Sequence, residues 1–106
     1  MQSNLQNLSE IVAKASDTFA IKFETVGTLM GIMDEGLRAQ GMKADAVTID
    51  CIAIDKKIVI LLHDDTPDIV SIALGNKQGD IYSSSEYELA ELSEAAIVEI
   101  METNFI

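Results

Sequence analysis

The chain has 106 residues, of which 18 are acidic and 7 basic, so its formal net charge is -11. No Lys or Arg follows Lys77, and so acidic a surface repels nucleic acid and anionic membranes, which excludes both as direct partners. The single cysteine excludes an internal disulfide, and no apolar run reaches the ~20 residues that span a bilayer. These features predict a cytoplasmic protein with one domain over residues 1–106.

The N-terminal region carries two helical stripes. Apolar residues recur at three- and four-residue spacing from Leu5 to Phe19, and a second stripe runs in phase from Phe23 to Leu37. One continuous helix over residues 4–40 would be ~55 Å long, whereas a compact domain of this size is roughly 35 Å across. We therefore predict two helices with a break near Asp17 to Lys22. A single helix, or a strand from Phe19 to Val26 that feeds a shorter helix, is the alternative.

Three glycines lie within the second stripe or beside it. Gly27, Gly31 and Gly36 each weaken a helix by about 1 kcal/mol relative to alanine. We expect them to permit the close approach of another backbone, from the sheet or from a second subunit. Together with an apolar stripe that is long for one small domain, they predict a homodimer, and two-fold dimers are the commonest soluble assemblies.

The densest run of β-branched and aliphatic residues, Val47 to Leu74, predicts the core sheet. Val47–Ile54 and Lys57–Leu62, separated by Asp55-Lys56, have the pattern of a hairpin. The second of these strands is apolar on both faces, which is typical of a central strand covered by helices or by a second copy of the molecule. Cys51 lies within the first strand and is predicted to be a buried hydrophobe rather than a nucleophile.

The next strands follow a polar turn at His63 to Asp68. Ile69 to Leu74 is predicted to be a third strand, although Thr66-Pro67-Asp68 would also suit the start of a short helix. Gly75 to Gly79 then makes a tight connection to a short fourth strand around Asp80 to Ser83.

The C-terminal region predicts an acidic helix. Ser85 with Glu88 matches a capping box, so the helix is predicted to begin in the serine cluster at 83–85. Alternatively, Ser93 caps a shorter helix and leaves Tyr87 to Leu92 irregular. The resulting fold class is α+β, an antiparallel β-meander of three to four strands packed against the N-terminal helices and the C-terminal helix. The predicted core residues are Val12, Leu29, Val47, Ile49, Ile58, Ile60, Leu61 and Ile100.

The best candidate for chemistry is the turn that holds the only histidine. His63, Asp65 and Asp68, with Asp64 among them, are residue types that bind divalent cations. Successive strand residues point to opposite faces, so His63 and Asp65 can converge while Asp64 faces away, and Pro67 redirects the chain before Asp68. Two converging side chains fall short of the three or four protein ligands of a zinc site. We therefore predict a solvated acidic turn, with no metal and no cofactor.

No motif in the chain indicates an enzyme. The serines at 83–85 lack a Gly-x-Ser-x-Gly setting, and Gly75 to Gly79 lacks the spacing and the Lys-Ser/Thr of a phosphate loop. The sequence favours a non-catalytic protein-protein interaction module, chaperone-like or adaptor-like, that forms a homodimer and offers an acidic face to a basic protein partner. Its order of helix, antiparallel sheet and acidic helix resembles in outline the small acidic dimeric chaperones of bacterial secretion systems. The alternative is a small-ligand or metal-binding protein that uses the turn at His63 to Asp68, and a DNA mimic is a third class.

Overall fold

The chain folds into one antiparallel sheet with its two long helices on the same side. The computed structural model describes residues 3–33 and 36–106. Their elements in chain order are α1 (Ser3–Lys22), β1 (Thr28–Met33), α2 (Gly36–Ala39), β2 (Ala44–Cys51), β3 (Lys57–His63), β4 (Ile69–Gly75), β5 (Ile81–Glu88) and α3 (Glu94–Phe105), with a 3-10 turn at Leu89–Glu91 before α3.

The sheet is a meander in which each strand pairs with its neighbour in the chain, in the order β1-β2-β3-β4-β5. The predicted hairpin is confirmed as β2 and β3, with Val47 opposite Ile60 and Ile49 opposite Ile58. The predicted third strand is confirmed as β4, so the helical alternative for that segment is wrong. The α+β class is therefore as predicted, but the described residues form five strands rather than three to four.

The additional strand is β1, which the sequence pattern had placed in a second helix. Thr28–Met33 pairs with β2 along its whole length, and only the single turn α2 is helical between β1 and β2 among the described residues. Gly31 lies opposite Thr48, and a Cβ at Gly31 would stand 2.9 Å from the Thr48 Oγ1 atom. The group that comes close to this glycine is therefore a side-chain hydroxyl of the neighbouring strand rather than another backbone. Asp34 and Glu35, at the end of the predicted stripe, lie outside the described residues.

The first helix is confirmed, and it ends at Lys22, the last residue of the range in which the break was predicted. The second long helix predicted after the break is wrong, because a strand follows. The last turns of α1 are held by α3, since the Thr18 hydroxyl donates to Glu94 and the Lys22 Nζ atom lies 2.9 Å from Glu102 Oε1. Phe19 is fully buried in the same region. The helix over residues 4–40 and the strand from Phe19 to Val26 are both wrong.

The last helix, α3, starts at Glu94 rather than in the serine cluster at 83–85, where the capping box predicted its start. The serines at 83–85 lie within β5, so the predicted helix start there is wrong, and the predicted fourth strand continues to Glu88. The alternative cap is confirmed, because the Ser93 Oγ atom accepts a 3.1 Å hydrogen bond from the Ala96 backbone N–H. Pairing with β4 thus outweighs the local capping preference of the serine cluster.

The core lies between the sheet and the two long helices. Of the predicted core residues, five are buried: Val12, Val47, Ile49, Ile58 and Ile60. Leu61 and Ile100 are only half-buried. Leu29 is 61% exposed, so its prediction as a core residue is wrong. Cys51 is buried, as predicted.

The described part of the chain has a radius of gyration of 13.0 Å and extents of 37 × 28 × 22 Å. Its longest helix, α1, has 20 residues and so spans about 30 Å. Within residues 3–33 and 36–106, no helix combines the length and the apolar character needed to cross a membrane.

Candidate binding surface

The two faces of the sheet differ in what covers them. The core side chains of β2 and β3, such as Ile49 and Ile60, pack against α1 and α3. Because strand residues alternate between faces, the intervening residues lie on the side away from these helices. We call this side the open face, and its members in the five strands are Leu29, Gly31, Met33, Ala44, Ala46, Thr48, Asp50, Lys57, Val59, Leu61, His63, Ile69, Ser71, Ala73, Gly75, Ile81, Ser84, Glu86 and Glu88.

The open face is apolar at its centre and made of small side chains. One row across the sheet reads Gly31, Thr48, Val59, Ala73 and Ser84. Val59 is half-buried, although it lies on the central strand. Ala46, Thr48 and Ala73 in these central rows are already buried within the single chain, so little of their surface is exposed. The exposed apolar side chains that mark this face as an interaction surface stand at its margins instead.

Larger apolar side chains stand at the margins of the open face. Leu29 and Met33 on β1 are 61% and 37% exposed, and Ile81 on β5 is 64% exposed. Strands lie about 4.8 Å apart and rise about 3.3 Å per residue, so five strands of this length present roughly 500 Å² on each face. Two such faces in contact would remove roughly 1,000 Å² from solvent, which is the size of a weak or transient interface.

Charge is confined to two parts of the open face. Asp50 and Lys57 are opposite each other on β2 and β3, with 3.9 Å between Lys57 Nζ and Asp50 Oδ1. Both are partly exposed, so the pair adds little stability but leaves no net charge at that end. Glu86 and Glu88 make the β5 margin acidic.

A groove of about 150 Å³ crosses the open face beside the β4–β5 hairpin. Its walls are mainly apolar, with Val59, Leu61 and Ile81 among them, and Lys57 and Lys77 stand at its rim. No histidine or cysteine lines it.

The hairpin beside this groove is held by its own side chains. The Asn76 Oδ1 atom accepts 3.0 Å hydrogen bonds from the backbone N–H groups of Gln78 and Asp80. Gly79 has a φ of 101°, a conformation that glycine adopts without steric cost. Gly75 has no room for a Cβ, which would stand 2.1 Å from the Asp80 carbonyl oxygen.

Arg38 forms a double fork at the opposite end of the sheet, which the sequence did not predict. Its Nε and Nη2 atoms donate to the two carboxylate oxygens of Asp45 at 3.0 and 2.9 Å. Its Nη1 and Nη2 atoms donate to the carboxylate of Asp64, both at 2.8 Å. Hydrogen bonds to Asp64 and then to Asp45 raise the pKa of Arg38, so it stays charged at any physiological pH. The only sequence signal was an acidic residue, Asp45, near the start of a strand that is mostly apolar.

The predicted metal-ligand candidates do not converge on one point. His63 is the last residue of β3 and half-buried, while Asp65 and Asp68 are exposed in the turn that follows. Asp64 faces Arg38, in keeping with the predicted divergence from its neighbours. Over residues 3–33 and 36–106, no group of three or more His, Cys, Asp or Glu side chains is arranged to hold a metal ion. That the turn binds no divalent metal stays a prediction.

No protein-family model matches the chain, and neither a curated protein nor a solved structure is significantly similar to it. Its function is therefore inferred from the geometry of its own surfaces.

Proposed function

We propose that this protein is a non-catalytic, adaptor-like or chaperone-like interaction module that forms a homodimer through the open face. The observation that carries the proposal is a sheet face over which residues 3–33 and 36–106 place no long helix. On the helix side of β3, Ile58 and Ile60 are fully buried, whereas Val59 and Leu61 on the other side are only half-buried. A second molecule would supply the missing layer.

A second copy suits the open face better than an unrelated layer for two reasons. A two-fold contact brings the same surface from both molecules together, and small residues in the central rows let two such surfaces approach closely. The Asp50–Lys57 pair carries no net charge into the contact. The acidic margin, Glu86 and Glu88, lies at one side of the face, where solvent can still reach it.

The β1 edge is the competing dimer surface. β1 has no charged residue and no proline, so its outer backbone groups could pair with a second β1. By contrast, β5 carries two glutamates and has a register irregularity near Tyr82, and both features oppose edge pairing. A test of the proposal must therefore separate face contact from β1 edge contact.

Two adjacent residues of β1 provide that test. Met33 lies on the open face and is 37% exposed, while Ile32 points to the helix side and is 42% exposed. We expect Met33→Lys to convert the dimer to a monomer in sedimentation-velocity experiments at micromolar concentration, because each molecule would then bring a positive charge into the apolar contact. The matched change Ile32→Lys should leave the dimer intact.

Other outcomes of this experiment contradict the proposal in different ways. A wild-type protein that sediments as an 11.5 kDa monomer at these concentrations would overturn it. Equal loss of the dimer in both variants would assign the contact to the β1 edge. Circular dichroism of each variant checks that the fold is retained.

A further inference from the structure

A second apolar groove lies on the helix side of the sheet, between α3 and β5. An α-helix is about 10 Å wide and therefore covers about two strands. α1 packs over β1 and β2, and α3 lies beside α1. The residues of β5 that point to the helix side, Ser83, Ser85 and Tyr87, remain exposed. The helix layer thus stops short of the fifth strand.

The groove has an apolar floor. It has a volume of about 410 Å³ and is lined by Leu74, Tyr87, Ala96, Glu99, Ile100 and Thr103. A pit of about 40 Å³ continues beneath it between Ile72 and Ser85, and shares Leu74, Tyr87 and Ile100 with the larger groove. Leu74 and Ile100 are only half-buried, so apolar contact area on both the sheet and α3 is unused.

The rim of the groove is acidic. Glu99 is exposed, lines the groove and has no ion-pair partner among the described residues. Glu94 and Glu102 point the other way, toward Thr18 and Lys22 of α1. No Lys or Arg follows Lys77 in the chain, so neither β5 nor α3 contributes a positive charge, and Glu99 is the acidic residue among those that line the groove. The glutamates of β5, Glu86 and Glu88, lie on the open face. A ligand for this groove needs apolar side chains and positive charge.

We propose that the groove binds a basic amphipathic helix from another protein, which lies over β5 beside α3 as the next helix of the layer. Its apolar residues, at spacings of three and four, would contact Leu74, Tyr87 and Ile100, and a Lys or Arg would face Glu99. A helix fits better than an added strand, because the groove lies above β5 rather than beside it. The glutamates and the irregularity of β5 also hinder strand addition. This site is on the opposite face from the proposed dimer contact, so either proposal can fail without the other.

Fluorescence anisotropy with a designed probe tests this inference. The probe is an 18-residue peptide of leucine and lysine with leucines at i, i+3, i+4 and i+7, and a scrambled peptide of the same composition is the control for simple charge attraction. At 0.15 M salt the Debye length is about 8 Å, which weakens non-specific attraction. We expect the patterned peptide to bind the full-length protein at least about tenfold more tightly than the scrambled peptide, which is about 1.4 kcal/mol.

A matched pair of charge reversals locates the binding. Glu99→Lys and Glu91→Lys change the net charge equally, and both residues are exposed, but Glu91 lies outside the groove. Glu99→Lys should weaken binding of the patterned peptide about tenfold, by roughly the value of one close charge pair. Glu91→Lys should change it by less than about twofold, because salt screens the effect of a charge outside the groove. Equal effects of the two variants, or equal binding of the scrambled peptide, would show charge attraction alone and overturn the proposal.

Discussion

Arg38 connects three separate parts of the chain. It lies in α2, between β1 and β2, and its guanidinium joins Asp45 at the start of β2 to Asp64 just after β3. The Asp45 side chain is only 4% exposed. A carboxylate so deeply buried needs charged hydrogen-bond donors, and Arg38 supplies two of them. The fork thus fixes the Asp64 carboxylate against Arg38 at the end of the sheet.

Two serines of α1 allow a prediction about buried hydroxyl groups. The Ser16 Oγ atom is buried without a hydrogen-bond partner among the described residues, whereas the Ser9 Oγ atom donates to the Gln6 carbonyl oxygen at 2.8 Å. An unsatisfied buried hydroxyl costs about 1–3 kcal/mol, and alanine is also the better helix former by roughly 0.5 kcal/mol. We expect Ser16→Ala to raise the free energy of unfolding by about 1 kcal/mol in urea titrations.

Ser9→Ala is the control for that experiment. It loses a hydrogen bond while it gains the same helix preference, so its effect should stay within about 0.5 kcal/mol of zero. A Ser16→Ala protein that is less stable than the wild type would show that the hydroxyl has a partner in solution.

At the scale of elements, the central strands could be predicted from sequence and the flanking ones could not. β2, β3 and β4 are rich in β-branched and aliphatic residues and lie between clear turn signals, so their local preference and their tertiary role agree. Thr28–Met33 also fits a helical stripe, because Leu29 and Met30 lie four and three residues before Met33, the spacing of one helix face. It forms a strand because it pairs with β2, and this pairing cannot be read from the local sequence pattern.

The candidate binding surface could be predicted only in part. The apolar character of β3 on both faces indicated that something must cover its second side. The sequence did not show that both long helices lie on one side, since this depends on the contact between α1 and α3. The groove beside α3 was hidden because the serine cluster was assigned to the helix rather than to β5.

Substitutions at two neighbouring residues of β3 can test how much more deeply the helix side of the sheet is buried than the open face. Ile60 is fully buried under the helices, while Leu61 points to the open face and is half-buried. Ile60→Ala should lower the free energy of unfolding by roughly 2–5 kcal/mol. Leu61→Ala should lower it by about 1–2 kcal/mol, because folding buries less apolar area at Leu61 than at Ile60. Guanidinium melts at low protein concentration provide both values, and a loss of less than about 1 kcal/mol for Ile60→Ala would contradict this core assignment.

At the scale of the whole molecule, net charge distinguishes the two proposed contacts. Each chain carries a formal charge of -11, so two chains in a dimer carry twice -11, or -22. Self-repulsion of this size opposes association, and salt screens it. A basic helix in the groove beside α3 is attracted by the same charge, so salt weakens that contact.

The two contacts should therefore respond to salt in opposite directions. Between 0.05 and 0.5 M sodium chloride, the Debye length falls from roughly 14 to roughly 4 Å. We expect the dimer dissociation constant from sedimentation equilibrium to fall over this range, while the dissociation constant of the basic peptide rises. If both constants rose together, the dimer contact would have to contain attractive charge pairs, contrary to the apolar open face.

The contact between α1 and α3 also bears on the order in which the molecule folds. Every strand pairs with its chain neighbour, so the meander can grow by short hairpin closures. Thr18 and Glu94, by contrast, are 76 positions apart, and closing so long a loop gains little until the sheet between them exists. The helix pair is then among the last contacts to form and among the first to open. Substitutions in it should shorten the lifetime of the native state while leaving the rate of folding nearly unchanged.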